Sequence, residues 1–363
     1  MEGFSKGVHA FFKKIDIFML ICALAATAFG VILIASATRS YGTMSYIKIQ
    51  LIAACAGVVL YFVISLFDLD SVCNLWKYLY VINLLLIGSL FFFGVGAEDT
   101  GNRSWIRFGS IGIQPAELGK ILFILTLSGH IYHMRESFPS VKSILLIILH
   151  AIIPIALIIV VSHDLGMAIV YMFIFLVVLF VAGIKLRWFA AAFALVAAAS
   201  PFIWPRLDAY QQLRIQVVFN PELDPLGKGY HAIQSKIAIG SGGLFGRGLG
   251  NGTMTQYSYL PAKQTDFIFA VAGEEFGMIG CLLICALLFT IIARCLIIGY
   301  RSAGTPAALV CSGVAAMLIF QTIENIGMCL GLLPVIGLTL PFFSYGGSSI
   351  LTMFIAVGLI SSA

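Results

Sequence analysis

Ile17-Phe18-Met19-Leu20-Ile21-Cys22-Ala23-Leu24-Ala25-Ala26-Thr27-Ala28-Phe29-Gly30-Val31-Ile32-Leu33-Ile34-Ala35-Ser36 carries no charged side chain. A helix needs about 20 mostly apolar residues to cross the hydrocarbon of a bilayer, and this run supplies them. Ala35-Ser36-Ala37 has the small-residue form of a leader cleavage site. The apolar run before it is too long for that reading, because a leader's apolar region spans about 7–15 residues. The stretch from Asp16 to Ser36 therefore reads as a first transmembrane helix.

Nine further apolar runs follow, at 46–66, 76–95, 115–133, 143–161, 165–184, 187–204, 266–297, 306–330 and 346–362. The expected architecture is all-α: a polytopic integral membrane protein with about ten transmembrane helices over residues 1–363. Composition agrees. Hydrophobic residues make up 61% and charged residues 10% of 363 residues, whereas a soluble domain carries roughly 25% charged residues. Mean hydropathy is +1.05. The net charge of +5 is spread singly among loops, which suits orientation signals and excludes a nucleic-acid surface. Eight cysteines show no disulfide framework and no CxxC spacing. Cys281 and Cys285 share a helix face and read as packing residues, since buried free cysteine behaves as a small hydrophobe.

Positive residues in short loops mark the cytoplasmic side. Lys6, Lys13, Lys14, Lys77, Arg135, Lys142, Lys185, Arg187, Arg294 and Arg301 fall on the side of the N-terminus. Arg39, Lys48, Arg103 and Arg107 fall on the other. Both termini are thus expected in the cytoplasm. Residues 205–265 form one large extracellular loop between the seventh and eighth helices, and loops this long are usually functional or disordered. Tyr210, Leu213, Ile215, Val217, Val218 and Phe219, then Tyr230, Ile233, Ile237 and Ile239, recur at helical spacing. They predict amphipathic helices lying on the membrane surface. Gly240, Gly242, Gly243, Gly246, Gly248, Gly250 and Gly252 follow. A flexible linker would be polar, but Ile239, Leu244, Phe245 and Leu249 interleave these glycines. The run instead predicts tight turns and close approach to a ligand. No internal repeat is visible, which weakens a transporter built from inverted halves.

Ionisable residues inside a membrane are functional candidates. Glu117 and Lys120 stand three apart near the outer start of the fourth helix and share a face. Asp164 and Asp266 open the sixth and eighth helices on the same side, and Glu274, Glu275 and Glu324 lie deeper. Each has a plainer reading. Glu117 and Lys120 could neutralise each other, Asp164 and Asp266 could be helix caps, and Glu274 and Glu275 could be pairing residues within the bundle.

Five segments resemble the SEDS family of cell-shape, division and sporulation proteins (RodA, FtsW and SpoVE). They are Gly101-Asn102-Arg103-Ser104-Trp105-Ile106, Gln114-Pro115-Ala116-Glu117-Leu118-Gly119-Lys120, and the stretch from Gly229 to Gly243. The others are Leu260-Pro261-Ala262-Lys263-Gln264-Thr265-Asp266-Phe267-Ile268-Phe269, with Gly273-Glu274-Glu275-Phe276-Gly277 after it, and the stretch from Leu333 to Ser349. Gly337-Leu338-Thr339-Leu340-Pro341 and Gly250-Asn251-Gly252-Thr253 look more like the RodA branch than the FtsW branch. His163-Asp164-Leu165-Gly166 departs from the family's Gln-Pro-Asp-Leu-Gly in lacking the proline, which affects the local helix entry.

The resemblance implies a peptidoglycan glycosyltransferase serving cell elongation and rod shape. It would polymerise lipid II into β-1,4-linked glycan strands and release undecaprenyl pyrophosphate. The family's essential aspartate maps onto Asp266. A sugar hydroxyl is a weak nucleophile, so a carboxylate within hydrogen-bond reach must take its proton as the new bond forms. Negative charge grows on the departing pyrophosphate and calls for cations. Lys120, Arg214, Lys236 and Lys263 are candidates, and the glycine run could offer backbone N–H groups. A divalent cation (Mg or Mn) could share the task, with Asp164, Glu117 and Asp266 as ligands. Trp105 and Ser344, each inside a matching motif, complete the implied substrate-binding positions. A class B penicillin-binding protein is the implied transpeptidase partner, alongside other elongation-complex membrane proteins. Two other readings stand beside this one: a flippase for lipid II, and a non-catalytic scaffold of a wall-building complex.

Overall fold

The computed structural model describes residues 15–96, 102–109, 111–207 and 209–363. Every apolar run of the sequence is helical in it. The elements are α1 Ile17–Ala37, α2 Ser45–Ile64, α3 Leu69–Asn74, α4 Trp76–Gly88 and α5 Leu90–Phe93. A two-stranded hairpin, β1 Ile106–Phe108 and β2 Ile111–Ile113, leads into α6 Pro115–His133. Then come α7 Val141–Leu157, which runs on as a π-helical turn over Ile158–Ser162, α8 Leu165–Val181 and α9 Leu186–Ile203. The former loop region holds α10 Ala209–Phe219, α11 Lys228–Gly242 and α12 Thr253–Gln256. The chain closes with α13 Ile268–Arg301, α14 Pro306–Cys329 and α15 Gly347–Ser361. Six helical stretches among the described residues are long and apolar enough to cross a membrane: Ile17–Ala37, Ser45–Ile64, Trp76–Phe93, Val141–Ser162, Ile268–Arg301 and Pro306–Cys329. Leu165–Val181, Leu186–Phe202 and Gly347–Ser361 are shorter apolar helices.

The start signals are local. Asp16 accepts from the Met19 N–H at 3.0 Å and caps α1. Its other oxygen takes the Arg294 Nε–H at 2.6 Å and so joins α1 to α13. Pro115 and Pro306 sit in the first turns of α6 and α14, where the missing N–H costs nothing. Between membrane helices lipid tails are as apolar as leucine, so close fit holds them together. Small residues permit that fit. A side chain at Gly313 would lie 2.8 Å from Ile124 of α6, and one at Gly57 would overlap the Phe354 ring of α15. α14 is the central element and packs on α6, α8 and α13, while α9 is exposed along almost its whole length.

α13 is broken inside the run that hydropathy showed as continuous. Gly277 has φ 65° and ψ −157°, and the helical ladder is interrupted there. The glycine run fills the break. The N–H of Arg247 donates to the Glu274 carbonyl and that of Gly248 to the Glu275 carbonyl, each at 3.0 Å. In return, the Met278 and Ile279 N–H groups donate to the carbonyls of Gly243 and Leu244, at 2.9 and 3.3 Å. A Cβ on Gly246 would overlap the Glu275 carbonyl, and its φ of 79° is already left-handed. Gly246→Ala is expected to cost at least ~1–3 kcal/mol from backbone strain alone and to lower the melting temperature in detergent by about 5 °C. An unchanged melting curve would refute this role.

The expected surface-lying helices take a different arrangement at α11. Its Ala232, Ser235 and Ala238 edge is buried against α13 and α14 rather than spread over a surface. Ser235 Oγ donates to the Cys329 carbonyl at the end of α14, 2.7 Å away. The residue types explain the difference, because alanine and serine at a spacing of three suit close helix contact better than interfacial anchoring.

Candidate active site

Asp266 lies in the turn before α13, half-buried, two residues ahead of the helix. It is not the cap of α13, since that position belongs to Phe267. Three later segments seat it. Asn325 of α14 donates its amide to the Asp266 carbonyl at 2.8 Å and to the Leu338 carbonyl at 2.7 Å. Ser344 Oγ donates to the Thr265 carbonyl at 2.6 Å and accepts from the Leu340 N–H at 2.8 Å. The Tyr345 N–H donates to the Gln264 carbonyl at 2.8 Å. Gly337 has φ 80°, and a Cβ there would stand 3.2 Å from Asp266 Oδ2. The backbone of 336–338 therefore runs directly beside the carboxylate.

The start of α8, next to Asp164, also approaches that segment. A Cβ on Gly166 would lie 3.3 Å from the Ile336 carbonyl and 3.4 Å from Asp164 Oδ1. Asp164 is the cap of α8, accepting from the Met167 N–H at 2.9 Å. Its second oxygen accepts from Ser104 Oγ at 3.1 Å and Gln114 Nε2 at 3.3 Å. The cap reading is thus met, and the same carboxylate also gathers two motifs. His163, which stands where the family has proline, takes a left-handed φ of 55° and turns the chain into α8.

Gln114 leads into α6, whose first turns hold Glu117 and Lys120. Lys120 Nζ donates to Glu117 Oε1 at 2.9 Å, and both side chains are buried. The two charges neutralise each other, while Glu117 Oε2 is buried without a hydrogen-bond partner. Trp105 belongs to the hairpin region, bridged to Val95 by backbone bonds and packed 3.1 Å from a Cβ built on Gly112. Its neighbours Arg103 and Ser104, rather than Trp105, reach the end of α7 and Asp164.

The expected cations separate. Lys263 is fully buried, and its ammonium donates to Ser40 Oγ at 2.7 Å, the Thr255 carbonyl at 2.6 Å and Ser258 Oγ at 3.1 Å. It also sits 4.8 Å over the Tyr41 ring. Burial pulls its pKa below the ordinary lysine value, and the charge of Glu275 works against that. With its three protons committed, Lys263 orders the 253–263 turn and has none left for a pyrophosphate. Lys236 is exposed on α11, with its stem across Gly331 at the end of α14. Arg214 lies on α10, and its side chain falls outside what the structure describes. The expected phosphate cradle in the glycine run is likewise occupied, because the N–H groups of Gly246, Arg247, Gly248 and Asn251 already donate to carbonyls. Among the described residues no three His, Cys, Asp or Glu side chains converge as metal ligands, so Asp164, Glu117 and Asp266 do not form such a set.

Glu274 and Glu275 are structural, as anticipated. Glu274 accepts from the Met254 and Thr255 N–H groups at 2.8 and 2.9 Å and so caps α12. Glu275 accepts from Ser36 Oγ at 2.7 Å. Asn325 is the functional position that sequence reasoning passed over. The signal was present: Gln321, Glu324 and Asn325 are polar residues inside an apolar run, and all three are buried in α14. Gln50 was missed too; it donates to the Ser344 carbonyl and accepts from the Gly346 N–H. Asn325→Ala would leave the buried Leu338 carbonyl without this donor, at about 1–3 kcal/mol, and the Asp266 carbonyl with only the Cys329 thiol, 3.7 Å away. The expected result is at least a tenfold drop in glycan synthesis together with a lower melting temperature. Activity retained at the wild-type level would remove Asn325 from the site.

The fold and this polar junction define a polytopic membrane protein, and comparison places it more closely. Residues 16–363 match the cell cycle protein family of FtsW, RodA and SpoVE, to which this chain belongs. It is 37% identical over 350 residues to the peptidoglycan glycosyltransferase MrdB of Escherichia coli K12, covering 96% of this chain and 93% of that one. It is 36% identical to the stage V sporulation protein E of Bacillus subtilis, covering 95% of both. A solved chain from a peptidoglycan synthase complex that coordinates polymerization and crosslinking superposes with a TM-score of 0.81 at 32% identity, over 96% of this chain and 97% of that one. The rod shape determining protein RodA of Thermus thermophilus gives 0.70 at 27% identity, over 95% of both. This is an integral inner-membrane protein.

Proposed function

We propose that this chain is a lipid II polymerase in which Asp266 is the general base. The observation that carries the reading is the seat of Asp266: a half-buried carboxylate whose backbone is clasped by Asn325 and whose oxygen faces the backbone of Gly337. A group held from several sides loses little entropy when it meets a substrate. In the step, the acceptor sugar's O–H bond breaks and its proton passes to Asp266. The oxygen bonds to the donor's anomeric carbon, and the electron pair of the old bond leaves with undecaprenyl pyrophosphate. Lys236 is the described cation best placed to meet that leaving charge, since it is exposed beside the end of α14. Asp164 and Ser344 act as positioning residues, through Gln114 and Thr265 respectively. Both termini are cytoplasmic and residues 205–265 face outward, on the positive-residue count. The partner is a class B penicillin-binding protein, by analogy with the synthase complex. Purified protein with that partner, given labelled lipid II in detergent, should yield glycan strands. Intact lipid II and an assembled complex with no strands would overturn the reading in favour of the flippase.

A further inference from the structure

Four helix ends, at the end of α13 away from Asp266, line a half-open cavity of about 500 Å³. Ligand sites commonly span about 300–1,000 Å³. α6 ends there, α8 ends there, α13 ends there and α14 begins there. The wall comes from Ile131, Val181, Leu296, Gly299 and Leu309, with Ala182 contributed by the end of α8 and Ala308 by α14. Two wall hydroxyls are already spent: Ser312 Oγ donates to the Leu309 carbonyl at 2.8 Å and Thr305 Oγ1 to the Ser302 carbonyl at 2.7 Å. The chamber thus presents an apolar surface, and apolar cavities do not hold water well. A polar solute gains nothing inside it.

Its mouth is different. Arg135 lines it just beyond the end of α6, with the guanidinium 4.4 Å over the Tyr132 ring. The stacked Tyr132 restricts where that cation can go. The same cavity is lined by the last turns of α13 and the first turns of α14, both long and apolar enough to cross a membrane, and an exposed cation level with such helix ends lies at the depth of lipid headgroups. An apolar chamber reaching into the bundle, with one fixed cation at the headgroup level, matches one ligand chemistry: an acyl chain joined to a phosphate. We propose that this cavity is a binding site for an anionic phospholipid, with one acyl chain in the chamber and the phosphate on Arg135. The site is separate from Asp266, because α13 spans 34 residues between the two ends.

The test is native mass spectrometry of the full chain in mild detergent, titrated with phosphatidylglycerol and with phosphatidylcholine. The wild type should retain one phosphatidylglycerol about tenfold more strongly than phosphatidylcholine, because the choline cation offsets the phosphate charge and repels Arg135. Arg135→Ala should keep a bound lipid but lose that preference. Ala308→Phe and Ala182→Leu fill the chamber from two different helices, so either alone should abolish retention of this lipid, and misfolding of one leaves the other readable. Inorganic phosphate should not compete; full competition would make the site one for free phosphate and overturn the lipid assignment. Equal retention of the two lipids by the wild type, or undiminished retention in the filled variants, would also overturn it.

Discussion

Asp266→Asn should abolish glycan polymerisation while leaving the protein folded. Asparagine keeps the size of the side chain and the clasped backbone carbonyl, because Asn325 binds the main chain and not the carboxylate. What it loses is the ability to accept the proton of the attacking hydroxyl. General-base help is worth about 10²–10⁴ in rate, so strands should fall below detection in a standard assay. The melting temperature should stay that of the wild type, and lipid II should still bind. Equal polymerisation by the variant would remove Asp266 from the chemistry and move attention to Asp164, at the start of α8.

The second large effect is expected at Lys120. Lys120→Met leaves Glu117 in a buried site without its 2.9 Å partner. Breaking a buried ion pair by removing one member typically costs about 3–5 kcal/mol. The variant should express poorly and melt well below the wild type. Adding Glu117→Gln removes the orphaned charge and should recover most of the stability. The double variant then separates two roles. Polymerisation restored with stability means that the pair serves packing alone, whereas a stable but inactive double variant means that the substrate uses it.

Much of this fold was legible because membrane helices announce themselves by uninterrupted hydropathy. Runs such as 115–133 and 306–330 match α6 and α14 to within a residue. The break at Gly277 was not legible. It depends on backbone groups of residues 243–248 meeting those of 274–279, and a hydrogen bond between two main chains leaves no side-chain pattern. The glycines were correctly read as permitting close approach, but the approach is to α13 and not to a phosphate. The site divides the same way. Asp266 stood out as a charge at the edge of an apolar run, and Asp164 likewise. Lys263 was chosen as a loop cation for the leaving pyrophosphate and proved to be internal, because sequence cannot tell a cation awaiting a ligand from one already surrounded by Ser40, Thr255 and Ser258. Asn325 carries no charge and was hidden beside Glu324 in a long helix.

The seat of Asp266 also has a bearing on biosynthesis. The clasp described above comes from later in the chain: Asn325, Gly337, Leu340, Ser344 and Tyr345. While the ribosome is still making α14, the carboxylate has already been translated but this clasp does not yet exist. A nascent or prematurely stopped chain therefore carries the reactive residue without that part of its setting.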